Sequence, residues 1–274
     1  MISPSDLLTT ARASAAAAAG VHLRWAHRVA PGEAVEKGRS DFVSQVDREA
    51  QAAALRVIRD RHPDHRILAE EEDERPNGTE RWIGEGDPSL PLWIVDPLDG
   101  TTNFLHGHPM YAASVGVVVE GRPVAGAVTA PATGEEWWGA DGQGAYRNGR
   151  AIRVSAIDDL TLALLGTGFP FKQPAEVPNY VEQLGRVLLR SSGVRRGGAA
   201  ALDLCYLAQG TLDAFWEAHL SPWDVAGGLA ILSEAGGIWM RQDGSPLALH
   251  EGGSVLAANG PHLLKELRNL LEGR

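Results

Sequence analysis

A compact apolar segment that runs straight into two carboxylates limits how this chain can fold. Leu92, Trp93, Ile94 and Val95 are followed by Asp96, Pro97, Leu98, Asp99, Gly100, Thr101 and Thr102. Such a bounded apolar run reads as a short buried strand ending at Asp96. Pro97 restricts the backbone between the two acids, and Gly100 can take a conformation that a side chain would forbid. Carboxylates held in this way suit a hard, oxygen-seeking divalent ion such as Mg²⁺. The amides of Gly100, Thr101 and Thr102 would then open a helix, and a helix start attracts anions. Metal beside phosphate is the chemistry that this segment favours.

Other acidic segments are placed to join it. Asp47 falls on a helix, Glu70 and Glu71 at the end of a strand, and Asp224 near the start of a helix opened by Pro222 and Trp223. Gathered around one anion, these carboxylates would repel it. Divalent cations remove the repulsion and supply a Lewis acid and an activated water. Convergence and metal binding are therefore one coupled expectation, and spacing along the chain does not show convergence.

Composition narrows the class. The 274 residues include 35 Asp+Glu against 25 Lys+Arg, a formal net charge of −10. That balance lacks the basic footprint needed to hold DNA, RNA or anionic lipid. A single cysteine, Cys205, excludes an intramolecular disulfide and a cysteine-built zinc or iron–sulfur site. No stretch approaches the roughly 18 apolar residues of a membrane span. Ser3, Pro4 and Asp6 read as an N-cap, N1 proline and N3 carboxylate opening a helix, so the alanine run at 15–19 is helical and not an export signal. A cytoplasmic protein is the expectation.

The pattern predicts a first helix to about residue 29, a loop over 31–40 holding Lys37, and a second helix over 41–61. A short strand at 67–68 runs into the acidic stretch 70–74, and a polar loop or flap covers 75–91. Strands follow at 92–95, 113–119, 124–130, 135–139 and 151–154. From about residue 158 strands and helices alternate: a strand at 162–166, helices at 178–190 and 200–209, a strand at 212–216 and a helix at 222–235. Strands at 238–240 and 254–257 precede a last helix from His262. Sheets layered with helices fit this pattern best.

Other phosphate chemistries fail on the residues themselves. A Cys-x₅-Arg thiol phosphatase needs arginine at position 211, where Thr211 stands. An aspartyl-phosphate Asp-x-Asp pair needs closer spacing than Asp96 and Asp99 have, and neither a P-loop nor a Gly-x-Ser-x-Gly elbow is present. Direct attack by metal-activated water remains.

The segment Asp96-Pro97-Leu98-Asp99-Gly100-Thr101-Thr102-Asn103-Phe104, together with Trp223-Asp224-Val225-Ala226-Gly227, resembles the paired signature of the inositol monophosphatase family. Asp41-Phe42-Val43-Ser44-Gln45-Val46-Asp47, Glu70-Glu71 and Thr167-Gly168-Phe169-Pro170 match that family in the same order, so the likeness spans residues 37–237 or so. The resemblance implies a layered α/β fold, the αβαβα sandwich shared with fructose-1,6-bisphosphatases. It implies one domain over 1–274, with an α+β half (1–157) and an α/β half (158–274), and a homodimer. Glu70, Asp96, Asp99, Asp224 and the Leu98 carbonyl would bind two or three Mg²⁺ ions, with Leu98, Gly100 and Thr101 lining the phosphate. Asp47 and Thr101 would orient and deprotonate the attacking water, with Glu71 close by. Glu217 would meet a substrate hydroxyl, and Gly198, Ala199 and Ala200 would form a substrate loop. Ala199 stands where relatives commonly have Ser or Thr, Ala69 where they have Gly and Ser44 where they have Thr; none of these removes an implied ligand.

Outside that set the ordinary readings hold. His106 and His108 are loop residues, since a carboxylate-rich site favours Mg²⁺ without imidazole. Trp93, Trp137, Trp138 and Cys205 are packing residues, and Glu72, Asp73 and Glu74 form a solvated face. Lys37 is a surface lysine or, by family position, a neighbour of the metal region. The expected protein is a Mg²⁺-dependent phosphomonoesterase of a small phosphorylated alcohol, foremost myo-inositol monophosphate. Histidinol phosphate, fructose 1,6-bisphosphate and nucleotide phosphates are the alternatives, and a metal-binding regulatory protein with a macromolecular partner is the reading from another class.

Overall fold

The structure is a computed structural model and describes residues 3–29, 35–38, 41–43, 45–71, 87 and 89–274, for 35–38 and 41–43 the backbone alone. Helix α1 (Pro4–Trp25) begins as its residues dictate: the Asp6 N–H donates to Ser3 Oγ, and Pro4 fills a position that needs no N–H. It stops short of residue 29 because Ala26 leaves the helix at ψ 127° and His27 takes φ 61°. The helix expected over 41–61 is divided. Val35–Gly38 (β1) and Asp41–Val43 (β2) pair antiparallel, and α2 occupies only Gln45–Arg61. Strand pairing satisfies the backbone of Phe42 and Val43, residues that lose side-chain freedom in a helix.

Seven strands form the first sheet in sequence order: β3 (Arg66–Ala69), β4 (Leu92–Asp99), β5 (Ala112–Val119), β6 (Arg122–Ala130), β7 (Glu135–Ala140), β8 (Gly144–Arg147) and β9 (Arg150–Ile152). β3 and β4 are parallel and the rest is an antiparallel meander. β4 continues past Val95 to Asp99, further than its apolar run predicts. Proline is tolerated there because the ladder to β5 shifts register between Asp96 and Asp99. Gly100, at φ 89°, then turns the chain into the short helix α3 (Thr101–Leu105).

The second half contributes β10 (Leu164–Thr167), α4 (Val177–Leu188), β11 (Gly193–Arg195), α5 (Ala200–Ala208), β12 (Ala214–Leu220), α6 (Pro222–Glu234), β13 (Ile238–Met240), β14 (Gly253–Ala258) and α7 (Pro261–Glu272). Its sheet runs β11-β10-β12-β14-β13, parallel through β12 and antiparallel beyond. β8 and β11 have no counterpart in the sequence reading, being too short for an alternation to register.

Side-chain alternation divides the core into three layers. Trp93, Val95, Val115 and Val117 face α1 and α2; Leu92, Ile94 and Val128 face α5 and α6. On the second sheet Phe215 and Ala257 meet α5 and α6, whereas Ala214, Trp216 and Leu256 meet α4 and α7. The result is the αβαβα sandwich. Cys205, Trp93 and Trp137 are fully buried in it, as packing residues should be. The central helix α6 lies against the first sheet so closely that a Cβ on Gly126 would stand 2.4 Å from the Gly227 carbonyl. No helix among the described residues is long and apolar enough to cross a membrane.

Candidate metal centre and active site

Three aspartates from two distant parts of the chain meet at the end of β4. Asp96, Asp99 and Asp224 each offer one carboxylate oxygen to a group whose members all lie within 4.8 Å of one another. Each is aimed by a backbone amide. Leu98 N–H donates to Asp96 Oδ1 at 3.0 Å, Ala201 N–H to Asp99 Oδ2 at 2.8 Å and Ser221 N–H to Asp224 Oδ2 at 2.6 Å. The last of these is half of a capping box, so the same residue that starts α6 also faces the cluster.

The electrostatics follow from crowding. Burial first, then Glu70, Asp99 and Asp224, push the Asp96 carboxyl well above the usual carboxylate range. Asp99 is pushed up by burial and by Asp224, and the Ala201 amide opposes the rise. An all-oxygen donor set, with Asp96 and Asp99 buried, Asp224 half-buried and no histidine or cysteine in it, fits a hard divalent cation whose charge would relieve this repulsion. Glu70 stands outside the tight group yet is the largest charge acting on Asp96. His106 and His108 are exposed loop residues beyond α3.

Beside the aspartates, Thr101 Oγ lies 3.0 Å from Asp47 Oδ1 and 3.1 Å from the Leu98 carbonyl oxygen. One hydroxyl proton serves two acceptors, and Asp47 is fully buried. Glu71 is fixed through its backbone: the Gln51 amide accepts from its N–H at 2.9 Å and donates to its C=O at 2.7 Å.

Gly100 tolerates no side chain, since a Cβ would come 2.7 Å from the Met110 carbonyl. Gly198 takes φ 84°, and Ala199 and Ala200, both buried, start α5. Glu217 on β12 fills the space that a side chain at Gly168 would need, its Oε1 lying 1.8 Å from that Cβ position. Burial, Asp203 and Asp224 raise the Glu217 carboxyl to about 8 against the pull of Arg196 and Lys172. Arg196 itself lies 5.3 Å over the rings of both Phe169 and Phe171. The side chains of Lys37, Ser44, Glu72, Asp73 and Glu74 lie outside the described residues, as does most of the 75–91 loop.

Three residues near the site have no role assigned from the sequence. Asp203 is buried on α5 and raised to about 7, chiefly by that burial; a lone acid in the apolar run of that helix was its signal. Asn103 donates to the carbonyls of Met110 at 2.6 Å and Gly197 at 3.0 Å, bracing the loop before α5. His22 reaches the Pro97 carbonyl from α1, and nothing local announces it.

Known proteins resemble this chain in sequence and in fold. A sequence model of the inositol monophosphatase family matches residues 3–272. The Pseudomonas aeruginosa protein named Nus factor SuhB is 42% identical over 226 residues, 82% of this chain and 80% of that one. Inositol-1-monophosphatase of Mesorhizobium japonicum is 41% identical over 241 residues, 87% of each chain. The solved inositol monophosphatase of Anabaena matches with a TM-score of 0.82 at 36% identity, over 98% of this chain and 96% of that one.

Proposed function

The chain belongs to the inositol monophosphatase family, and from that premise we propose that it is a Mg²⁺-dependent phosphomonoesterase whose substrate is a small phosphorylated alcohol, foremost myo-inositol monophosphate. The observation that carries this reading is the meeting of Asp96, Asp99 and Asp224 beside the Thr101–Asp47 pair. Glu70, Asp96, Asp99, Asp224 and the Leu98 carbonyl would hold two or three Mg²⁺ ions. When bound, the metal would supply Lewis-acid polarisation of the phosphoryl group and a water of lowered pKa.

The chain's own residues do the rest. Thr101 Oγ accepts the proton of the attacking water as it passes its own proton to Asp47 Oδ1, with Glu71 close by. The amides of Gly100 and Thr101 receive phosphate oxygens at the start of α3. Glu217 meets a substrate hydroxyl. Gly198, Ala199 and Ala200 line the alcohol, where Ala199 offers no polar group. Because Asp96 and Asp99 come from the 1–157 half and Glu217 and Asp224 from the 158–274 half, the two are read as one domain. Exposed Phe169, Phe171, Val177, Val181 and Leu188 supply apolar surface for a homodimer, which sedimentation velocity would resolve. A cytoplasmic setting without nucleic acid follows from the acidic, single-cysteine composition.

The test is phosphate release, with and without Mg²⁺, from inositol 1-phosphate, fructose 1,6-bisphosphate, histidinol phosphate, 3′-phosphoadenosine 5′-phosphate and AMP. Mg²⁺-dependent preference for inositol phosphate is expected. Preference for another ester would replace the substrate, and no turnover on any would sink the enzymatic reading. A relative named Nus factor favours a second reading, a metal-binding regulatory protein with a macromolecular partner. A stoichiometric partner together with negligible turnover would select it.

A further inference from the structure

The carboxylate-bearing end of β4 is gripped from outside the sheet by one imidazole. His22, in the last turn of α1 and fully buried, places Nε2 2.7 Å from the carbonyl oxygen of Pro97. A carbonyl oxygen only accepts, so Nε2 carries the proton, and the buried Nδ1, which has no partner, is bare in the neutral ring. Burial, which pulls the imidazole down to about 4, keeps it so.

The contact falls where the ladder between β4 and β5 shifts register, between Asp96 and Asp99. At the other end of the same peptide, Leu98 N–H donates to Asp96 Oδ1 at 3.0 Å. The Pro97–Leu98 peptide is thus pinned at both ends, its oxygen by His22 and its hydrogen by the carboxylate that it aims. Turning that plane would withdraw the Leu98 N–H from Asp96 and disturb the Leu98 carbonyl, which accepts from Thr101 at 3.1 Å.

The surroundings favour a directional role over bulk. Phe104 and Tyr111 pack against the ring together, with centroids 6.1 and 5.8 Å from it and 5.0 Å from each other. His22 Nδ1 has no hydrogen-bond partner although it is buried. A site that needed only volume would be better filled by leucine or methionine, which bury no unpartnered nitrogen.

We propose that His22 is a positioning residue that sets the direction of Asp96 through the Pro97–Leu98 peptide. The proposal rests on the reading of Asp96 as a Mg²⁺ ligand. The full chain would be compared as wild type, His22→Gln and His22→Leu by calorimetric titration with MgCl₂, with melting curves and steady-state kinetics alongside. Glutamine keeps an N–H donor close to the place of Nε2, whereas leucine keeps only bulk. The leucine variant should bind Mg²⁺ about 10-fold more weakly and the glutamine variant within about threefold of wild type, the range seen when groups behind a metal ligand are removed. Equal affinities in the two variants, at wild-type strength or both reduced, would overturn the proposal. Should leucine prevent folding, His22→Asn replaces it, because its amide stops short of Pro97; asparagine matching glutamine would again overturn the role. Wild-type chain that binds no Mg²⁺ would remove the metal reading itself, a result seen before any variant is compared.

Discussion

Asp99 carries two demands in one carboxyl: it faces Asp96 and Asp224 across a crowded cluster, and it accepts the Ala201 N–H that anchors the start of α5. Asp99→Asn keeps the shape and the amide contact but loses the charge. Turnover should fall by more than about 100-fold with the melting curve little changed, as expected for a group more intimate with metal than its outer partners. Near wild-type activity at saturating Mg²⁺ would count against the assignment. His22 gives the clearest pH signature. Its imidazole drops from 6.5 to about 4 on folding, chiefly through burial, so the unfolded chain binds the proton more readily. Its contribution is therefore complete above pH 6.5 and is lost as pH falls toward 4, about 3 kcal/mol in all. Measured as the stability difference between wild type and His22→Gln, which cancels the carboxylates, wild type should lose ground between pH 7 and pH 4; a difference that stays flat would refute this. Asp96 and Asp99 were legible in the sequence because they sit in one short motif. His22 was not, since its side chain's hydrogen-bond partner is 75 positions away.

Among the elements, α6 shows how packing delivers chemistry. Its motif was readable as a helix start, with Pro222 at the first turn and Asp224 in a capping box. What the pattern could not show is that the sheet beneath it is glycine-lined, so that the helix settles almost onto the backbone of β5 and β6. Gly126→Ala would bring a methyl carbon 2.4 Å from the Gly227 carbonyl oxygen, forcing the helix outward. A loss of about 1–3 kcal/mol is expected in urea denaturation, from overpacking, with weaker Mg²⁺ binding because Asp224 moves with its helix. Unchanged stability would mean that α6 has slack the contact distances deny. The division of 41–61 into β2 and α2 has the same lesson in reverse: helical period continued upstream on paper, and a neighbouring strand claimed the backbone first.

At the scale of the whole molecule, the fold brings acids together at a cost that only a cation relieves. Without metal, burial and mutual repulsion raise the carboxyls of Asp96 and Asp99, so the folded state keeps protons that the unfolded chain has shed. Their contribution is most favourable below the ordinary 3.8 and is lost as pH rises through the raised values. Mg²⁺ would take the protons' place. At about 100 times its dissociation constant it should add roughly 2.7 kcal/mol, and the gain at a fixed Mg²⁺ concentration should be larger at pH 8 than at pH 6, read as the shift in melting temperature on adding MgCl₂ or EDTA. A gain that shrinks with rising pH would contradict carboxylate ligation. The layered α/β class, most of the helices and strands, and the identities of the acidic residues were legible along the chain, because hydrophobic period, capping residues and the Asp-Pro-Leu-Asp-Gly-Thr run are local properties. Long-range packing set which acids meet, that Glu70 stays outside the tight group, and that His22, Asn103 and Asp203 lie near them. Those outcomes depend on register shifts and on helix-to-sheet distances between segments far apart in the chain, and a distance between remote segments is not written in the order of either one.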